Sequence, residues 1–140
     1  MKLFRPILMA VLFLFSLSAC KNQAPAATDN TQATAPKPQV QHLSATDFSV
    51  KLNSAPDNSI LVDVRTPEEY AEGHIEGAVN INFYDEDFES QIGALNKDVP
   101  VFVYCQAGSR SRKACAKFEA LGFKEVYDLE VGYSGWSKSH

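Results

Sequence analysis

The residues best able to do chemistry in this 140-residue chain are one cysteine and the short polar loop that follows it. Residues 101–104 are continuously apolar, with β-branched and aromatic side chains, which predicts a buried strand that ends at Cys105. From Ser111 onward, good helix formers carry an apolar stripe that includes Ala114 and Phe118, which predicts a helix. Cys105 therefore follows a strand and precedes a helix, the place where open α/β sheets bind ligands.

This loop can stabilise an anion. A short turn into a helix directs successive backbone N–H groups inward, and the helix dipole adds positive potential. A thiol at its centre is favoured as the nucleophilic thiolate, so Cys105 is the candidate nucleophile; the alternative is a small buried side chain at a strand end. We name residues 105–111 the Cys105 loop, and we expect its other members to bind the anionic sulfur and its donor: Gln106, Ala107, Gly108, Ser109, Arg110 and Ser111.

The amino-terminal residues predict export and lipidation. Residues 1–19 combine two basic residues, an apolar run and small residues, as in a secretory signal, and the run is too short to span a membrane. The sequence from Leu17 to Cys20 resembles a bacterial lipobox, which predicts Cys20 as the acylated first residue of the mature chain; ordinary cleavage is the alternative. This resemblance implies a location in the bacterial cell envelope, facing the periplasm, and the sorting tendency of such lipoproteins implies the outer membrane because Lys21, not Asp, follows Cys20.

Two further segments follow the signal. Residues 20–41 are rich in Ala, Pro, Thr and Gln and predict a flexible tether, while residues 42–140 are enough for one compact domain, expected to be a monomer. Because Lys2 and Arg5 leave with the signal, eleven basic residues remain against 17 acidic ones, a formal net charge of −6. This acidic balance argues against nucleic acid as a partner. The basic cluster at residues 110–113 suits a small anion better.

The pattern along the domain predicts alternating strands and helices, hence a mainly parallel sheet with helices on both faces. Ser44 is placed to cap a helix through Leu52, and Thr66 begins a capping box. The predicted strands are residues 60–64, 77–81, 101–104 and 125–129, and the predicted later helices are residues 66–73, 83–95 and those from 111 onward.

Two motifs in the expected order make residues 42–140 similar to the rhodanese-like family. The first runs from Asp63 to Ala78 (DVRTPEEYAEGHIEGA), and the second is the Cys105 loop (CQAGSRS). The resemblance implies an α/β, three-layer fold with a mainly parallel five-stranded sheet and helices on both faces. It also implies a sulfurtransferase whose Cys105 carries sulfur as a persulfide from a donor such as thiosulfate to a thiol or cyanide, without a cofactor.

Other activities on this fold stay open. Phosphatases and arsenate reductases related to this family have five residues between the cysteine and the arginine, whereas four separate Cys105 from Arg110 here. Non-catalytic binding modules of the family usually lack the cysteine. In one respect the chain departs from many relatives: Val131 stands where they have the first glycine of a Gly-Gly pair. This difference is expected to shift the C-terminal loop that lies beside the active site.

The remaining polar residues of the first motif are interpreted as structural. A buried ion pair between an arginine and a carboxylate should tie the second strand to its helix, and the alternative is that Arg65 or His74 touches the substrate. Cys115 is expected to be a buried small residue; the alternative is a resolving thiol that forms a disulfide with Cys105. No ligand spacing indicates a metal. The residues near the site with this structural role are Asp63, Arg65, Glu69 and His74.

Overall fold

The computed structural model describes residues 39–140, which form one parallel five-stranded sheet with helices on both faces. The strand order is β1-β5-β4-β2-β3. The elements in chain order are β1 (Gln39–Leu43), α1 (Ala45–Asn53), β2 (Ile60–Asp63), α2 (Pro67–Ala71), β3 (Val79–Asn80), α3 (Phe88–Gly93), β4 (Val101–Tyr104), α4 (Ser109–Ala120), β5 (Glu125–Leu129) and α5 (Gly132–Trp136).

The central strand β4 is buried on both faces, which explains its continuous apolar sequence. Val103 lies between Val62 of β2 and Asp128 of β5 in the sheet register. One core packs α3 and α4 against the sheet through Ile92 and Phe118, and the other covers the opposite face with residues of α1 and α5. The α/β fold class with helices on both faces is therefore confirmed.

Adjacent strands β2 and β4 send their following helices to opposite faces of the sheet. Tyr70 of α2 packs in the core that contains Phe48, whereas Ala114 of α4 packs in the core on the other face. The carboxyl ends of these two strands consequently open a crevice, the usual ligand position in an open α/β sheet. The loops that begin at Val64 and Cys105 meet there, and Val64 N–H donates to the Tyr104 carbonyl at 2.9 Å.

Several predicted boundaries were wrong. The strand β1 begins at Gln39, inside the segment assigned to the tether, because its backbone pairs with β5 from Gln39↔Glu125 onward. The strand predicted over residues 77–81 comprises only Val79–Asn80. The helix predicted over residues 83–95 comprises only Phe88–Gly93, because the residues before it form turns in which the Asn82 side chain hydrogen-bonds to Tyr84 N–H and to the Asp85 carboxylate. The helix after Cys105 begins at Ser109, two residues before the predicted start at Ser111.

The capping box at Thr66 is confirmed, with both reciprocal hydrogen bonds to Glu69 present. The predicted signal, the acylated Cys20 and most of the predicted tether lie outside the described residues. Within residues 39–140, no helix is both long and apolar enough to cross a bilayer.

Shortening a core side chain should measure how much of the fold depends on the packing of α4. Phe118 is fully buried and makes an edge-to-face contact with Phe123 at a centroid distance of 4.9 Å. We expect Phe118→Ala to lower the free energy of unfolding by about 3–5 kcal/mol in urea denaturation, because it removes a buried ring and leaves a cavity. Val50→Ala, at a position 65% exposed, is the control and should change it little. Equal losses in the two variants would contradict this account.

Candidate active site

Cys105 lies directly after β4 at the crevice, and its side chain is only 1% exposed. The backbone N–H of Gly108 donates to its Sγ at 3.1 Å, so the loop curls back over the sulfur. Gly108 has φ +85°, and a Cβ there would lie 2.1 Å from the carbonyl oxygen of Glu130. Only glycine fits this position, for reasons of both backbone conformation and space.

The loop passes without interruption into α4. Gly108 is the N-cap of this helix, and its carbonyl accepts hydrogen bonds from Arg112 N–H and from the Ser111 hydroxyl, both at 3.2 Å. Ser111 is fully buried, so its hydroxyl fixes the loop-to-helix junction from inside. The sulfur therefore sits near the amino end of a twelve-residue helix, where the dipole favours negative charge.

The opposite side of the loop is held by backbone hydrogen bonds from α5, which the sequence did not predict. Tyr133 N–H donates to the Cys105 carbonyl at 2.7 Å, and Ser134 N–H donates to the Gln106 carbonyl at 3.0 Å. Gly132 has φ +61°, and a Cβ there would lie 2.5 Å from the carbonyl carbon of Gln106. The signal available in the sequence was the glycine itself.

The departure at Val131 does not disturb this contact. Val131 has φ −86°, a value open to any residue, and its side chain is 44% exposed. The position at which a side chain would clash with the loop is residue 132, and that residue is a glycine.

The structure brings together the buried ion pair predicted from the first motif. Arg65 is 2% exposed and donates to both carboxylate oxygens of Asp63 at 2.7–3.0 Å. Its remaining donors reach the Gly73 carbonyl at 2.6 Å and the Gln106 side-chain oxygen at 3.0 Å, and its guanidinium lies over the Tyr133 ring. Arg65 thus holds the Cys105 loop through Gln106.

Arg110, which we expected to bind the anionic sulfur or its donor, forms an ion pair with Glu69 across the crevice. Its two terminal nitrogens bind the two carboxylate oxygens of Glu69 at 2.6 and 2.7 Å, and its guanidinium lies 5.7 Å from the Tyr84 ring centre. The hydrogen bonds from Arg110 lower the pKa of Glu69 to about 2. Glu69 therefore pairs across the crevice with α4 and does not pair with Arg65.

The other singled-out residues lie apart from these contacts. His74 is exposed and stacks on Tyr70 at a centroid distance of 3.8 Å, with its Nδ1 3.0 Å from the Tyr70 carbonyl oxygen. Cys115 is buried in α4 as a free thiol, and Cys105 is free as well. Burial raises the pKa of the Cys115 thiol, and the charge of Asp128 raises it further. This favours Cys115 as an unreactive core residue.

A shallow cleft of about 350 Å³ adjoins the outer side of the loop. Two basic side chains of α4, Arg112 and Lys113, line it together with Glu130, whose carboxylate lies 3.4 Å from Arg112. Within residues 39–140, no group of three or more His, Cys, Asp or Glu side chains is arranged to hold a metal ion. The site offers a thiol that accepts the backbone N–H of Gly108 and lies in a loop flanked by the basic residues Arg112 and Lys113.

The comparisons agree with this geometry. The family model described as "Rhodanese-like domain" matches residues 44–139. Thiosulfate sulfurtransferase GlpE of Shewanella oneidensis is 34% identical over 100 residues, 71% of this chain and 95% of that protein. Protein HIGH ARSENIC CONTENT 1, mitochondrial, of Arabidopsis thaliana is 33% identical over 140 residues, 88% of this chain and 82% of that protein.

Solved structures give the same result. The crystal structure of a rhodanese-related protein from Thermoplasma volcanium superposes with a TM-score of 0.61 at 25% identity, covering 71% of this chain and 92% of that chain. The family match spans nearly all of the described residues, including both motifs and the loop around the buried thiol. On this evidence the chain belongs to the rhodanese-like family.

Proposed function

We propose that the protein is a sulfurtransferase that moves sulfane sulfur through a persulfide on Cys105. The observation that carries the proposal is the position of the Cys105 sulfur, which accepts the Gly108 N–H at 3.1 Å inside a loop with four residues between Cys105 and Arg110. Such a loop stabilises a thiolate and, after the first step, the terminal sulfur of a persulfide. The resemblance to a thiosulfate sulfurtransferase over 95% of that protein supports the same assignment.

The reaction consists of two thiolate displacements. The Cys105 thiolate attacks the sulfane sulfur of thiosulfate, a new S–S bond forms, and sulfite leaves with the electron pair of the bond that breaks. An acceptor thiolate, or cyanide, then attacks the terminal sulfur of the persulfide and regenerates the Cys105 thiolate. Because each step exchanges one bond at sulfur for another, the cycle needs no cofactor.

The donor is an anion in a chain that is acidic overall, so its approach depends on local charge. Arg112 and Lys113 are exposed beside the loop, and Lys113 makes no ion pair within the part of the chain that the structure describes. Exposed charges of this kind raise the rate of encounter and are screened by salt. The loop N–H groups and the α4 dipole act at shorter range on the sulfur itself.

The second candidate function is arsenate reduction or phosphatase activity. The observation that favours it is the similarity to Protein HIGH ARSENIC CONTENT 1 of Arabidopsis thaliana. The four-residue spacing gives a smaller loop than the five residues of those related enzymes. Release of p-nitrophenol from its phosphate, or thiol-dependent reduction of arsenate, would favour that candidate. A binding module without catalysis is the remaining alternative, and a Cys105 that takes up no sulfur from thiosulfate would favour it.

We also propose that a lipid on Cys20 anchors the protein to the envelope membrane, with the domain facing the periplasm. The support is the run from Leu17 to Cys20 and the polar, proline-containing sequence that follows it. If the domain is anchored in this way, the thiol that accepts sulfur from Cys105 must be able to reach a domain held at the membrane surface. The domain itself is expected to act as a monomer on a small donor.

Replacing the proposed nucleophile should abolish transfer and leave the fold intact. Cys105→Ser should lower thiosulfate:cyanide activity by roughly a thousandfold or more, because a serine hydroxyl fits the loop but is not an accessible anion at neutral pH. The matched control is Cys115→Ala, which should keep its activity. Mass spectrometry should find a 32 Da adduct after thiosulfate treatment in the control and none in Cys105→Ser. Substantial transfer by a folded Cys105→Ser protein would refute the assignment.

The ion pair across the crevice should make stability depend on pH in the acid range. Arg110 lowers the Glu69 pKa to about 2 from 4.5, so the pair stabilises the fold above pH 4.5, and this contribution is lost as the pH falls toward 2. Glu69→Gln keeps the hydrogen bond to Thr66 N–H but removes the charge. Both partners are partly exposed, so we expect the wild type to exceed Glu69→Gln by about 1–2 kcal/mol at pH 6 and by little at pH 2.

Chemical denaturation at several pH values measures this difference. Glu68→Gln changes the exposed neighbouring carboxylate and should follow the wild type throughout. A difference between wild type and Glu69→Gln that stays constant from pH 6 to pH 2 would show that the pair is not the source.

The anchor is tested in the bacterial host with a labelled fatty acid. Cys20→Ala should remove the label and leave an unprocessed precursor, because this cysteine is the proposed site of both acylation and cleavage. Cys115→Ala, which keeps Cys20, is the control and should incorporate label as the wild type does. Label that persists in the Cys20→Ala protein would place the lipid elsewhere.

A further inference from the structure

The amino end of α5 is bonded to the Cys105 loop by two backbone hydrogen bonds, and their direction has a consequence for catalysis. They are donated by Tyr133 and Ser134 to the carbonyl oxygens of Cys105 and Gln106. In a planar trans peptide the C=O and the N–H point in opposite directions. Holding these two carbonyls toward α5 therefore directs the N–H groups of Gln106 and Ala107 to the other side of the loop.

Those two N–H groups have no hydrogen-bond acceptor among residues 39–140. The next one along, from Gly108, already donates to the Cys105 sulfur. Three consecutive donors on one side of a short loop make a site for an anion, and an additional sulfur on Cys105 would be such an anion. The free donors are thus available for the charge that appears during sulfur transfer.

The side chain of Gln106 also holds the loop backbone in this orientation. Its oxygen accepts from buried Arg65 at 3.0 Å, and its nitrogen donates to the Ser134 hydroxyl at 2.8 Å. The carbonyl and the side chain of Gln106 are therefore both bound to Ser134, which limits rotation of the peptide planes on either side. Gly132 allows this approach, since a Cβ there would overlap the Gln106 peptide.

We propose that Gly132, Tyr133 and Ser134 form a positioning element for the sulfur-transfer reaction: they hold the Cys105 loop so that the N–H groups of Gln106 and Ala107 face the anionic sulfur on Cys105. This inference rests on the proposed function for the identity of the anion. These residues act through the loop backbone and do not themselves touch the substrate.

A pair of glycine substitutions in the full chain tests the proposal. Gly132→Ala and Gly122→Ala both place a methyl group at positive φ, +61° and +86°, but only the first meets the loop, since no atom lies within 4 Å of a Cβ at residue 122. We expect Gly132→Ala to lower kcat for thiosulfate on the order of 100-fold, with a smaller change in KM, because donors to a developing charge are displaced. Gly122→Ala should retain the wild-type values.

Alkylation of Cys105 by iodoacetamide, followed by mass spectrometry of the Cys105 peptide, gives a readout that does not require sulfur transfer. It should be roughly tenfold slower in Gly132→Ala than in Gly122→Ala at neutral pH, because the thiolate loses charge-assisted hydrogen bonds. Equal alkylation rates and equal kcat values in the two variants would overturn the proposal. A wild type that takes no sulfur from thiosulfate would refute the proposed function, while the alkylation rates would still decide the positioning role.

Circular dichroism shows whether Gly132→Ala folds. If it does not, Ser134→Ala and Ser134→Thr replace it, since the first removes the hydroxyl that binds Gln106 and the second keeps it. We expect slower alkylation and a lower kcat in Ser134→Ala, with recovery in Ser134→Thr. Identical behaviour of these two variants would overturn the proposal.

Discussion

The structure around the sulfur depends on one buried charge, the guanidinium of Arg65. A charge that is 2% exposed must be neutralised and fully hydrogen-bonded, and the partners that do so come from three separate parts of the chain: Asp63, the Gly73 carbonyl and Gln106. Breaking a buried pair of this kind by removing one partner typically costs about 3–5 kcal/mol. The guanidinium therefore fixes the end of β2, the turn after α2 and the Cys105 loop relative to one another.

What could be predicted from the sequence is what neighbouring residues determine. The strand that ends at Cys105, the helix after it and the Thr66 capping box each follow from residues within a few positions. What was missed depends on distant partners. Arg110 binds Glu69, 41 residues away, and β1 exists because β5 offers it an unpaired edge, so neither feature leaves a local pattern. The same is true of the hydrogen bonds between α5 and the loop.

The Arg110–Glu69 pair changes the electrostatics that the sequence implied. The carboxylate offsets the charge of the arginine, whereas the donor in direct contact with the sulfur is the backbone N–H of Gly108 at the start of α4. Neither this N–H group nor the helix dipole behind it carries a net charge. Such groups are buried and fixed, so salt screens them less than it screens exposed Arg112 and Lys113. Two kinds of group therefore act on the anion. Exposed charged side chains attract it to the surface, and buried backbone dipoles stabilise the negative charge at the sulfur.

The two close backbone approaches, Gly108 to Glu130 and Gly132 to Gln106, have a consequence for how such a protein diversifies. Each segment occupies the space that a side chain on the other would need, so the loop and the turn into α5 are constrained as one unit. Inserting a residue between Cys105 and Arg110 to accommodate a larger anion would push the loop into residues 130–132. New substrate classes on this scaffold would therefore require paired changes in two segments about 25 residues apart in sequence.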